Sequence, residues 1–131
     1  MSLESKITLG KAGTARAVVS GANTAKTVGS GSLEVFGTPM MIALMEQAAC
    51  ACLEDALEAG QTSVGTLVSI THNAASPVGA EIVASAIVTA VEGRKVFFDV
   101  SACDGKGEIG SGTHERFVVD AERFMGKLLS A

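Results

Sequence analysis

The period of the apolar positions changes once along this chain, and that change organises it. From Met40 to Ala59 the sequence MMIALMEQAACACLEDALEA shows no alternation and is rich in strong helix formers. Thr38 stands just ahead as an N-cap whose hydroxyl can accept an orphan N–H of the first turn, and Pro39 suits the first helical position. Gly60 is the natural stop. The spacing predicts one long helix from Thr38 to Gly60, apolar on nearly every side in its first half. Its charges, Glu54, Asp55 and Glu58, gather at the end where they oppose the macrodipole, which predicts an exposed, loosely held terminus. After the turn residues GQTSVG the pattern becomes β-branched. Thr66 to Ala75, Glu81 to Val91, Arg94 to Cys103 and Glu108 to Val119 read as strands. They are separated by Pro77 and Gly79, by Glu92-Gly93, and by Gly105 and Gly107. An amphipathic helix around Ala121 to Leu129 closes the chain. The first 31 residues predict one or two short strands and then an irregular Gly/Ser segment.

A helix apolar on most sides has to be enclosed. Strands joined by tight turns form an antiparallel meander, and the simplest enclosure is a curved sheet wrapped around the helix. This is an α+β chain of hotdog architecture, a single domain over residues 1–131. Such a sheet leaves an exposed edge strand. Pairing of two edges across a twofold axis predicts a homodimer with a continuous sheet of roughly ten to twelve strands.

Composition narrows the setting. Of the 131 residues, 47% are apolar and 18% charged, with a formal net charge of -4, which suits one globular domain. No run reaches the roughly 18 apolar residues of a membrane span, and MSLESKITLG has no long apolar leader segment. The expected location is the cytoplasm. Scattered basic residues and an acidic balance argue against a nucleic-acid partner. Cys50, Cys52 and Cys103 are odd in number and suit no disulfide framework. Cys50 and Cys52 point about 200° apart on a helix, so they form no metal clamp, and all three read as small buried apolar residues. No metal site is expected. The phosphate-loop, dinucleotide and nucleophile-elbow patterns are absent.

A few polar residues stand out against this apolar background. Glu46 sits between Met45 and Gln47 in the most apolar part of the helix, where an unpaired carboxylate is costly. It therefore needs partners, or else reaches solvent through a gap or at a dimer seam. His72, in SITHNAAS, reads alone as a structural or surface histidine. His114, in GSGTHERF, reads the same way, with charged neighbours that predict exposure. Thr38 has a sufficient reason to exist as a cap, yet its hydroxyl also stands at the positive end of a helix dipole, a favourable place for an oxyanion. Gly65, ahead of a strand, reads as a turn glycine or as a point where backbone comes close to a ligand.

The stretches TPMMIALMEQAACACLE, VGTLVSITHNAASPVGAEI and VEGRKVFFDVSACDGKGEIGSGTHERFVV resemble the fluoroacetyl-CoA thioesterase branch of the hotdog superfamily. The likeness runs from Phe36 to about Phe124 and rests on the THxAxxPxG and DGxxEIGxGTHER segments. It implies an enzyme that hydrolyses an acyl-CoA thioester to the free acid and CoA, needing no cofactor because coenzyme A is part of the substrate. It implies catalytic roles for Thr38, Glu46 and His72, and substrate contacts at Gly65 and Arg116. In that scheme His72 is the acid/base and Glu46 the nucleophile or base, while Thr38 orients the attacking group or polarises the carbonyl. Arg116 would hold a substrate phosphate or carboxylate in its planar fork. The segment before the helix, TVGSGSLEVFG, departs from the family's aromatic-rich lid: Phe36 is its only aromatic and Ser32 stands where a lid phenylalanine would be. That predicts some other short or medium acyl group in place of fluoroacetyl. Two rival readings are a non-catalytic acyl-CoA or acyl-ligand binding dimer and a hotdog dehydratase.

Overall fold

The computed structural model describes residues 2–130. A four-residue helix, α1 (Leu3–Lys6), precedes strand β1 (Ala12–Val18) and a second short helix, α2 (Ala25–Val28), capped by the Thr24 side chain. The long helix α3 (Thr38–Leu53) follows, then β2 (Gln61–His72), β3 (Glu81–Glu92), β4 (Lys95–Asp104), β5 (Gly107–Asp120) and the terminal helix α4 (Ala121–Ser130). No helix among the described residues is long and apolar enough to cross a membrane.

All five strands belong to one antiparallel sheet in the order β1-β3-β4-β5-β2. Only β3, β4 and β5 form the expected meander. β2 pairs with β5 rather than with β3, so the connection through Asn73 to Ala80 crosses the sheet from one edge to the strand next to the opposite edge. Pro77, which has no N–H to give to a ladder, and Gly79, at φ +96°, both lie in this crossover. The crossover is anchored by the Ser76 hydroxyl on Asp104, at 2.8 Å, and by Phe36 N–H on the Ser76 carbonyl.

α3 buries one face: Met41, Leu44, Met45, Ala48, Ala49, Cys52 and Leu53, the i, i+3/i+4 spacing of a helix lying on a sheet. It packs chiefly over β1 and β3. At Gly13 the approach is so close that a Cβ would stand 2.5 Å from the Cys52 amide nitrogen and closer still to the Ala48 carbonyl. The opposite stripe, with Ile42, Ala43, Glu46, Gln47 and Cys50, is half-buried or exposed, so a single chain encloses its helix only on one side. Leu67 and Val68 on the unpaired edge of β2 are exposed as well.

Three local expectations change. α3 ends at Leu53 and tightens into a 3₁₀ turn, Glu54–Ala56, instead of running to Gly60. Asp55 is drawn onto Lys11 and Glu58 onto Lys6, so this acidic terminus is tethered rather than loose. Of the three cysteines only Cys52 is buried; Cys50 and Cys103 are exposed.

Candidate active site

Two groups of polar side chains collect the residues singled out by sequence. The first joins Thr38 and His72: the Thr38 hydroxyl oxygen lies 2.7 Å from Nδ1 of the imidazole. Thr38 proves to be the first residue of α3 and not its cap. Gly37 takes the cap position, its carbonyl receiving Met40 and Met41 N–H, so the Thr38 hydroxyl is free for His72. His72 is the last residue of β2, held in register against Gly110. Its Nε2 is buried and has no hydrogen-bond partner among the described residues. Loss of water around the ring depresses its pKa below the usual 6.5, with the Ala74 backbone opposing. Both residues line a cleft of about 240 Å³ bounded by Ala25, Ser30, Val35 and Phe36. A larger groove of about 690 Å³ beside Lys6 and Lys11 contains none of the candidate residues.

The second group is built on Arg116, which is 6% exposed. Its Nη1 donates to Glu46 Oε2 at 2.9 Å and faces His114 Nε2 at 3.1 Å. Nε donates to the Ser63 hydroxyl at 2.8 Å and Nη2 to the Ser63 carbonyl at 3.1 Å. The fork expected to reach for substrate is therefore largely committed inside the chain. Glu46 finds the partner its apolar setting demands, while its side chain stays 37% exposed on the open stripe of α3. Gly65 lies against the carboxylate: a Cβ there would meet Glu46 Oε2 at 2.5 Å and Arg116 Nη1 at 3.3 Å. Gly65 pairs with Arg116 and Leu67 with Glu115, leaving Thr66 as the extra residue of a β-bulge.

His114, expected at the surface, is 1% exposed. Its charged neighbour Glu115 points to the opposite face of β5, as alternation along a strand requires, and pairs with Lys95 at 2.8 Å. His114 and Arg116, two apart, share the inner face. Ser63 gave no signal beyond its place in a turn-rich segment.

The two groups do not meet within one chain. Thr38 and Glu46 are eight residues apart on α3, about 12 Å along its axis. The geometry thus brings Thr38 to His72, and Glu46 to Gly65 and Arg116, but not all five together.

Positions 19–122 match the family model of FlK, the fluoroacetyl-CoA-specific thioesterase. The fluoroacetyl-CoA thioesterase of Streptantibioticus cattleyicolor is 46% identical over 95 residues, which cover 72% of this chain and 68% of that one. A solved structure of fluoroacetyl-CoA thioesterase superposes with a TM-score of 0.89 at 38% identity, over 95% of this chain and 96% of that chain. A hot-dog-like protein from Thermanaerovibrio acidaminovorans gives 0.90 at 26% identity, over 99% and 96%. A curved sheet around a central helix is accordingly the hotdog fold. With most of its length matched, this chain belongs to the fluoroacetyl-CoA-specific thioesterase family.

Proposed function

We propose that two copies of this chain form a cytoplasmic homodimer that hydrolyses a short or medium acyl-CoA thioester, each site drawing on both protomers. The observation that carries the reading is the Thr38–His72 hydrogen bond at the mouth of a cleft, with Glu46 out of its reach in the same chain. A twofold axis through the exposed edge of β2 resolves the separation. Antiparallel pairing with Val68 beside the axis sets His72 opposite the partner's Gly65, and so brings Thr38 and His72 towards the partner's Glu46 and the partner's Arg116. Support comes from the exposed Val68, which is paired with inward-facing His114, and from the uncovered stripe of α3, both of which such a dimer would cover. Two five-stranded sheets would then make one of ten strands.

In this site neutral His72 takes the proton of the attacking water, whose oxygen adds to the thioester carbonyl carbon. The imidazolium returns that proton to sulfur as the C–S bond breaks, releasing the acid and CoA. Glu46, with Oε2 fixed by Arg116, offers Oε1 either as the base for that water in place of His72, or as a nucleophile that expels the thiolate and leaves an acyl-enzyme anhydride, which the water deprotonated by His72 then cleaves. Thr38 fixes the imidazole and, at the positive end of α3, favours the developing oxyanion. Gly65 lets the acyl group and the carboxylate come close to backbone, and Arg116 supplies positive charge behind them. No cofactor is required, since coenzyme A arrives with the substrate.

The acyl specificity proposed is not for fluoroacetyl. Gly31, Ser32, Leu33 and Glu34 are exposed, and Phe36, the only aromatic of the segment, is buried beneath it at 2% exposure. Phe36 bounds the cleft as part of its wall, and the segment has no second aromatic ring to close over it.

The test is a panel of acyl-CoA esters with a thiol reagent, run on wild type, Glu46→Ala, His72→Ala and a refolded mixture of the two variants. A shared site predicts two inactive variants and a mixture with roughly a quarter of wild-type activity, because half the dimers are mixed and each mixed dimer has one complete site. An inactive mixture, with exchange of protomers verified, would refute the shared site. Tight binding of acyl-CoA by wild type without thiol release would instead establish a binding protein.

A further inference from the structure

We infer that His114 is a positioning residue for this reaction: with Nδ1 protonated and Nε2 bare, it clamps the Arg116 guanidinium and thereby fixes the Glu46 carboxylate. This rests on the role proposed for Glu46. Both ring nitrogens are assigned by what faces them. Nδ1 lies 2.7 Å from the Leu67 carbonyl, which can only accept, so Nδ1 must donate. Nε2 lies 3.1 Å from Arg116 Nη1, which can only donate, so Nε2 must accept. One neutral tautomer satisfies both, and an imidazolium would turn a second donor towards the guanidinium.

The surroundings enforce the same state. The ring is 1% exposed and stacked on Phe98, with centroids 6.0 Å apart. Burial pushes its pKa down, and the Arg116 charge adds to that; the Leu67 carbonyl, Glu46 and Glu115 oppose it. The Glu46 oxygen that Arg116 holds is 3.9 Å from Nε2, too far for a hydrogen bond, so His114 acts on the carboxylate through Arg116. The bulge at Thr66 contributes from the other strand, displacing the pairing between Gly65, which makes room for the carboxylate, and Leu67, which holds the imidazole. Arg116 is thus gripped by Ser63 on one side and by His114 on the other, and its Nη1 has one direction left for Glu46. A carboxylate held this way is placed before substrate arrives, which favours the transition state over substrate binding.

The experiment separates an acceptor at Nε2 from a space-filling ring. His114→Gln keeps an acceptor at the reach of Nε2, His114→Asn keeps only a donor near Nδ1, and His114→Phe keeps the ring. The expected result is a fall in kcat of at least about tenfold for the Asn and Phe variants, with KM little changed, and a smaller loss for the Gln variant. In an Arg116→Met background, His114→Asn should lower kcat no further. Wild-type kcat in the Phe variant, or equal further losses in the Arg116→Met background, would overturn the proposal. Nitrogen NMR of the wild-type imidazole at neutral pH is independent of any variant. It should show the neutral Nδ1–H form, and an imidazolium or an Nε2–H tautomer would also overturn it. If Glu46→Ala retains full activity, it is the underlying reading that fails, whatever the imidazole shows.

Discussion

The Thr38 hydroxyl lies 2.7 Å from Nδ1 of His72, joining the first turn of the long helix α3 to the last residue of an edge strand. Because Gly37 serves as the helix cap, this hydroxyl has no duty in ending the helix. Its loss should therefore affect chemistry more than stability. Thr38→Ser should retain most activity, while Thr38→Val, close in shape but without the oxygen, should lower kcat/KM by roughly 10²-fold and move the melting temperature little. Steady-state kinetics beside a thermal melt checks both halves, and equal damage from Ser and Val would count against the hydrogen bond.

Burial depresses the pKa of His72 below 6.5, and the base in the proposed reaction is the neutral ring. The rate, read as kcat/KM, should be flat through neutral pH and fall only on the acid side, below the ordinary histidine range. Stability should follow the same sign. The depressed pKa values of His72 and His114 mean that the unfolded chain binds protons more readily. Their contribution is present above the unfolded value near 6.5 and is lost as pH falls through the lower folded values. A pH–rate profile and melts between pH 7 and pH 4 measure the two effects.

Gly65→Ala should separate activity from stability. The new methyl meets the end of the Glu46 side chain at 2.5 Å, and such an end can swing aside at small cost to the fold. The carboxylate would then leave the position Arg116 gives it. A drop in kcat of at least about tenfold with a melting shift of only a few degrees is the expected outcome.

Gly13→Ala tests the opposite situation. The atoms its Cβ would strike belong to the backbone of α3, at the Cys52 nitrogen and the Ala48 carbonyl, and cannot rotate away. Overpacking of this kind should cost about 3 kcal/mol, a melting-temperature drop of roughly 10 °C. A melt within a few degrees of wild type would mean that α3 can ride off β1.

Much of this was legible in the sequence, for identifiable reasons. The helix core was readable from its unbroken run of helix formers, and β3, β4 and β5 from β-branched runs divided by glycines. The partner of β2 was not, because strand periodicity reports a face and never a neighbour. The end of α3 is misplaced because Glu54, Ala56 and Leu57 are good helix formers, and the tertiary pairing of Asp55 with Lys11 is invisible in a linear pattern. Glu46 was flagged by the cost of its setting, and that cost is met by Arg116, 70 residues away. His114 was hidden by averaging over Glu115 and Arg116, whereas alternation along β5 sends its neighbour outward and the histidine inward.

The strand order has a consequence for how the protein comes into being. β2 is made early, but its partner among the described strands, β5, leaves the ribosome only after β3 and β4. Throughout synthesis of β3 and β4, a β-branched strand with Leu67 and Val68 waits with both edges bare, a state open to wrong pairing with neighbouring chains. Gly110 and Gly112, where any Cβ would strike β2, make the late docking specific to one register. A premature stop before Gly107 should therefore give an aggregating fragment rather than a weakened enzyme.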